Sequence, residues 1–378
     1  MIDKHFSRGY YQVDKKIYLQ KISALIEGTK TNVHPEWIFN DEVFGAVDWS
    51  VEPTESITDL YKERAQQLRK KYDYLVLLYS GGADSHNILE TFAKNNIKLD
   101  EVVVSWQSSL SGTYTPDSTN YDWTNYNSEW NFAIKPRLEW FSSQCPDTKI
   151  SIYDWAQDIN KVKIEDDFIL NRNQNHMIYG EQRWSFDKVE PIRRIREREK
   201  NVGVLSGIDK PRICFHENKY KLYFLDTIAY GPSTDQPLDL LGDNLSIELF
   251  YWSPDSIKIL QKQAHLMIKF LELVPSFQKY ITWPISNPMY RQWYETSSRA
   301  ILYPTLDLSV FQAAKSPEFT IGYDQLLYSI GFKDRIVTQQ TENFAYLKTI
   351  IDSKYFKETN NGVPIIAPFI SRMYELTK

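Results

Sequence analysis

The sequence predicts an α/β fold: a doubly wound, mainly parallel sheet followed by a mainly helical C-terminal domain. Three observations carry this expectation. Tyr74-Leu75-Val76-Leu77-Leu78-Tyr79 is an unbroken apolar run of strand length and Glu101-Val102-Val103-Val104-Ser105-Trp106 a second run built on three valines, the pattern of parallel strands buried on both faces. Between them Ile88, Leu89, Phe92 and Ala93 mark one face of a helix, completing a βαβ unit. Strand-like runs then keep alternating with helical ones, at 149–153 and 202–205.

Taken in order, residues 1–55 mix aromatic and polar side chains around Pro35 and Pro53, which predicts an irregular or partly helical extension. An α/β domain is expected over 56–230. It opens with an amphipathic helix in which Ile57, Leu60, Tyr61, Ala65 and Leu68 recur at three- and four-residue spacing. Ser56 or Thr58 can cap this helix, and Lys70 and Lys71 suit its last turn. After the βαβ unit, residues 129–141 predict a helix kinked at Pro136, and 186–200 a basic helix. Residues 212–226 predict a hairpin turning at Asn218 and Lys219. From 245 to 378 a mainly helical domain for substrate or partner is expected, its clearest start being Ser253 as N-cap with Pro254 and Asp255 in the first turn.

Composition narrows the function classes. A chain of 378 residues, 42% hydrophobic and 25% charged, can bury a substantial core. No run approaches the ~20 apolar residues of a membrane helix, and the opening MIDKHFSRGYYQVDKK lacks the apolar centre of a signal peptide, so a soluble, cytoplasmic protein that binds no membrane is expected. Cys145 and Cys214 are the only cysteines, with only His216 near either at ligand spacing, which disfavours structural zinc. A net charge of −5 argues against a surface that coats nucleic acid broadly. Locally, Arg183, Arg193, Arg194, Arg196, Arg198 and Lys200 are basic, but Glu190, Glu197 and Glu199 interleave at helical pairing distances, leaving an ion-paired face and a tRNA track both open. The aromatic stretch at 114–130 likewise fits either loop packing or base stacking.

The chemical signal lies where the first strand gives way to the helix, at Ser80-Gly81-Gly82-Ala83-Asp84-Ser85. Glycines there let backbone N–H groups approach phosphate, and a helix N-terminus adds favourable partial charge. No Lys follows at GxxxxGK[ST] spacing, so this is not the loop that positions a γ-phosphate for transfer.

The six residues resemble the SGGxDS signature of the PP-loop ATP pyrophosphatases, a group that includes GMP, NAD, asparagine and argininosuccinate synthetases and several tRNA-modifying enzymes. The resemblance implies a HUP-like domain that holds the pyrophosphate of ATP, cleaves between the α- and β-phosphates, and transfers AMP to a substrate oxygen that a nucleophile then frees. Carried over, it makes Ser80, Gly81, Gly82, Ala83 and Ser85 pyrophosphate contacts, with Asp84 holding Mg²⁺ or orienting phosphates. It places adenine against Val104 to Trp106, although Trp106 fits core packing equally.

A second strand, glycine turn and charged segment follows at Val204-Leu205-Ser206-Gly207-Ile208-Asp209-Lys210-Pro211-Arg212. At the carboxyl end of a sheet strand, Gly207 would approach the nucleotide, Lys210 and Arg212 would neutralise pyrophosphate and Asp209 would bind metal. A charged surface turn is the alternative. The chain lacks a C-terminal reactive cysteine, a cysteine cluster and an N-terminal nucleophilic cysteine, which disfavours the reductase, deazaguanine and glutaminase-bearing branches. The expectation is an AMP-forming ligase that activates a carboxylate or nucleobase carbonyl for ammonia or an amine. tRNA or nucleobase modification, including thiolation, and non-catalytic nucleotide binding are the alternatives.

Overall fold

In the computed structural model, residues 9–106, 130–154, 190–208, 210–226, 244–285, 289–306, 345–358 and 364–377 are described. The apolar runs become strands β4 (Tyr74–Leu78) and β5 (Glu101–Ser105), joined through helix α4 (Ala83–Lys94). Val76, Leu77, Val102, Val103 and Val104 are all fully buried, as a two-sided burial of the sheet requires. β6 (Lys149–Tyr153), β7 (Val202–Ser206) and β10 (Leu245–Leu249) complete a five-stranded, all-parallel sheet in the order β10-β7-β4-β5-β6. The chain steps from β4 outward to β6, then returns to the other side of β4 as β7. The carboxyl ends of β4 and β7 therefore flank the point where strand order reverses, the crevice in which open α/β sheets bind ligands.

Helices flank the sheet. α3 (Ile57–Lys71) is capped as expected, the Asp59 N–H donating to Ser56 Oγ at 3.1 Å, and it packs against α4. The expected kinked helix is a π-turn over Trp130–Ile134 running into α5 (Lys135–Gln144), with Pro136 in its first turn, where a missing N–H is tolerated. The basic helix α6 spans Glu190–Arg198. The hairpin β8 (Arg212–His216) and β9 (Lys219–Tyr223) turns at Glu217-Asn218, one residue earlier than expected, with φ of +53° and +61°. That pair of left-handed residues matches the twist of the strands.

Two expectations are corrected. Residues 9–55 are partly helical as expected, in α1 (Lys21–Thr31) and the short α2 (Asp41–Phe44), but they are not irregular: β1 (Tyr10–Val13) is the centre of an antiparallel sheet, β2-β1-β3, with β2 (Lys16–Tyr18) and β3 (Glu36–Ile38) at its edges and α1 packed on it. Its aromatics join the main core, since Phe39 and Phe44 each lie 5.2 Å from Phe224, which meets Trp252 at 4.9 Å. The segment from 245 does not begin a separate helical layer either. Its first element, β10, is the fifth strand of the parallel sheet, and the following helix α7 (Ile257–Leu273), with the expected Ser253 cap before it, packs on α3. Further on, β11 (Phe356–Glu358) pairs antiparallel with β12 (Pro364–Ile366), and β13 (Tyr374–Glu375) pairs with β9. Among the described residues no helix is long and apolar enough to cross a membrane.

Candidate functional site

The SGGADS segment runs from the carboxyl end of β4 into α4, on the switch-point side of the sheet. Gly81 has φ +72°, and a Cβ there would meet Ile134 Cγ1 at 2.5 Å, so both conformation and space demand glycine. Gly82 occupies the N-cap of α4 with no side-chain cap, leaving the first-turn N–H groups without the carboxylate or hydroxyl that usually meets them. The two serines close the loop on itself: the Ser80 N–H donates to Ser85 Oγ at 3.3 Å, and Ser85 Oγ donates to the Gly82 carbonyl at 3.1 Å. Gly81, Gly82, Ala83 and Ser85 are buried, while Ser80 and Asp84 are half-buried.

The segment after β7 meets this loop. Gly207 lies on the backbone of α4's first turn, where a Cβ would come within 2.9 Å of Ser85 N and 3.1 Å of the Asp84 carbonyl carbon. Backbone cannot give way as a side-chain tip can. Gly207→Ala should therefore cost about 1–3 kcal/mol of overpacking strain and lower thermal stability. An unchanged melting midpoint by scanning calorimetry would contradict this contact. Three residues on, Lys210 Nζ donates to Asp84 Oδ1 at 2.6 Å, with its side chain 4% exposed against 25% for Asp84. The two sequence segments expected to share a site are thus joined by an ion pair.

Two tyrosines that no local pattern singles out complete the cluster. The Tyr303 hydroxyl donates to the same Asp84 Oδ1 at 2.5 Å, and Lys210 Nζ sits 5.8 Å from its ring centroid. The Tyr251 hydroxyl donates to the Asp84 carbonyl at 2.9 Å and accepts from Asn87 Nδ2. Burial, then the Asp84 charge, pushes the Tyr303 hydroxyl far above its ordinary range, and burial does the same to Tyr251, so both stay protonated donors at any working pH.

Behind the loop α4 carries a second polar group. His86 is fully buried, with Tyr79 OH 3.2 Å from Nδ1 and Glu90 Oε1 3.4 Å from Nε2. Burial lowers its pKa, which favours the neutral ring. Glu90 also accepts from Thr305 Oγ1 at 2.6 Å and pairs with Lys94 at 3.2 Å. Burial alone would raise the Glu90 carboxyl, but hydrogen bonds from His86 and Thr305 and the nearby positive charge outweigh it and hold the group at about 2. The unfolded chain takes up this proton near 4.5, so the stabilisation is complete above that pH and is lost as pH falls through about 2. Urea unfolding should show wild type losing roughly 1.5–3 kcal/mol more than Glu90→Gln between near-neutral and strongly acidic pH; parallel acid limbs would refute the assignment.

The remaining expected residues are placed as follows. Val104 lies mid-strand in β5, aligned with Ile152 of β6 and fully buried. Trp106 follows β5, 5% exposed, its N–H donating to the Tyr153 carbonyl and its ring stacked on Trp130 at 5.7 Å. Its Nε1 is buried without a hydrogen-bond partner among the described residues. Arg212 opens β8, half-buried, and is framed by Tyr294, whose hydroxyl donates to the Pro211 carbonyl at 2.9 Å and accepts from the Ile213 N–H at 3.2 Å. Asp209, Arg183 and most of the 114–130 aromatic stretch lie outside the described residues. Of the basic cluster, Arg194 pairs with fully buried Glu101 at 2.6 Å and with Glu190 at 3.8 Å, the pattern of an ion-paired face.

For a metal, no three His, Cys, Asp or Glu side chains converge among the described residues. No protein-family model matches the chain, and no curated protein matches it.

Proposed function

We propose that this chain binds Mg²⁺–ATP at the Ser80 to Ser85 loop and forms AMP, adenylating a carboxylate or nucleobase carbonyl for attack by ammonia or an amine. What supports this function is one juxtaposition: the SGGADS loop sits at the strand-order reversal of a parallel sheet, and Lys210, from the segment after the neighbouring strand, is ion-paired to its Asp84. In this mechanism the uncapped N–H groups opening α4, with the Ser80 and Ser85 hydroxyls, bind the β- and γ-phosphates. Lys210, aided by Arg212, takes up the charge that develops on the departing pyrophosphate. The acceptor oxygen bonds to the α-phosphorus as the bond to pyrophosphate breaks, and the amine then displaces AMP. Asp84, with Asp209, would hold the magnesium, which supplies charge neutralisation for the leaving group.

The cysteines favour an amine over sulfur as nucleophile. Burial pushes the Cys214 thiol up to about 12, and burial also raises Cys145, so neither is a ready thiolate near neutral pH. The test is incubation with Mg²⁺ and α-labelled ATP, with and without ammonia, amino acids and bulk tRNA, followed by separation of AMP from ADP. AMP is expected, and the addition that raises it names the acceptor class. ADP alone would overturn the mechanism. ATP binding with no product under any addition would leave a nucleotide-binding module.

A further inference from the structure

Lys210 and Tyr303 both donate to one oxygen of Asp84, Oδ1, at 2.6 and 2.5 Å. Among the described residues no side chain or backbone group donates to Oδ2, and the carboxylate keeps a quarter of its exposure. Tyr303 is not a casual neighbour. It is 1% exposed, its ring lies 5.9 Å from Tyr251 and 6.5 Å from Tyr61, its N–H donates to the Arg299 carbonyl at 3.0 Å, and the preceding carbonyl, of Leu302, accepts from Tyr61 OH at 3.1 Å. The hydroxyl is therefore delivered to Oδ1 by a packed wall.

A carboxylate with one oxygen filled by two donors can offer a cation only the other. Mg²⁺ accepts such single-oxygen ligation within a tight octahedron completed by water and phosphate, whereas Ca²⁺, larger and taking six to eight oxygens, gains from carboxylates that bind through both. We infer that Tyr303 is a positioning residue that confines Asp84 to single-oxygen coordination and so biases the phosphate loop toward Mg²⁺ over Ca²⁺. This rests on the proposed function only in taking the loop to bind a polyphosphate with its cation at Asp84.

The test is calorimetric binding of α,β-methylene ATP to wild type, Tyr303→Phe and Asp84→Asn, each in Mg²⁺ or Ca²⁺ alone. Tyr303→Phe removes one hydroxyl and leaves the ring packing. The ratio of affinities in Mg²⁺ and Ca²⁺ should fall on the order of tenfold, the scale of one hydrogen bond to a charged group, chiefly through tighter binding in Ca²⁺. Asp84→Asn should abolish the dependence on cation identity. Nucleotide binding with an unchanged ratio in Tyr303→Phe would overturn the inference while the proposed site stands. A wild-type ratio retained in Asp84→Asn would overturn it too, by removing Asp84 as the ligand. Wild type that binds no nucleotide in either cation would overturn the proposed function and this inference with it.

Discussion

Under the proposed function, Lys210→Met is expected to cut AMP formation about 10²–10³-fold, the usual cost of removing one preorganised charge from a group-transfer site, with the fold retained. The asymmetry of the ion pair makes this the cleaner variant. The Asp84 side chain is 25% exposed and keeps its Tyr303 hydrogen bond, so water and one donor still solvate it when the lysine is gone. The reverse change, Asp84→Ala, takes the carboxylate away from an ammonium that is 4% exposed beside a tyrosine ring. Removing the counter-charge of a buried cation is destabilising. Asp84→Ala should therefore lose both activity and melting temperature, and Lys210→Met chiefly activity. Parallel turnover and calorimetry on the two proteins would decide. Full activity in Lys210→Met would remove Lys210 from the chemistry.

The parts of the fold that were legible in the sequence are those whose burial is local and apolar. β4 and β5 announce themselves because Leu75 to Leu78 and Val102 to Val104 can be buried without a polar partner. β10 escaped because Leu-Ser-Ile-Glu-Leu carries a glutamate in its middle. Glu248 is 7% exposed, and it is tolerated only because Arg64, Lys71 and Tyr72 reach it from α3 and the residue after it. No window around 248 contains those partners. The glycine turn from β4 into α4 was legible for the opposite reason, its glycines and serines acting within six residues. Tyr251 and Tyr303 reach Asp84 across 167 and 219 positions and belong to no local pattern. One signal could have found the first of them: Phe250-Tyr251-Trp252 follows a sheet strand at its carboxyl end, where ligands bind, once 245–249 is recognised as a strand. The N-terminal sheet was missed because its strands are three or four residues long and mix tyrosine with lysine, glutamine and glutamate, so that only Tyr11 and Val13 in β1 and Trp37 in β3 mark an inward face.

Lys21→Met is expected to destabilise the fold by about 3–5 kcal/mol, a large share of a typical domain's 5–15 kcal/mol. Lys21 and Asp226 are both fully buried and 2.7 Å apart. Lys21 also donates to the Ala367 carbonyl at 2.8 Å, while Asp226 accepts from Tyr11 OH and from the Phe369 N–H, each at 3.0 Å. The pair therefore ties the N-terminal sheet, the end of the β8–β9 hairpin and the segment before β13 into one polar node inside an apolar core. Removing either partner leaves a charge with no water to replace it. Replacing both, as in Lys21→Met with Asp226→Leu, should cost less than the sum of the single changes. The pH dependence separates the two single variants. Burial lowers the Lys21 pKa, opposed by Asp226; without that carboxylate it falls further. Between the folded and unfolded pKa values the unfolded chain then binds more protons, so Asp226→Asn should gain stability as pH rises from neutral into the alkaline range. Lys21→Met, which keeps no amine there, should gain nothing. Urea unfolding of wild type, Lys21→Met, Asp226→Leu, Asp226→Asn and the double variant at two pH values tests both statements, and additive single variants with identical pH slopes would show that the node does not hold these segments together.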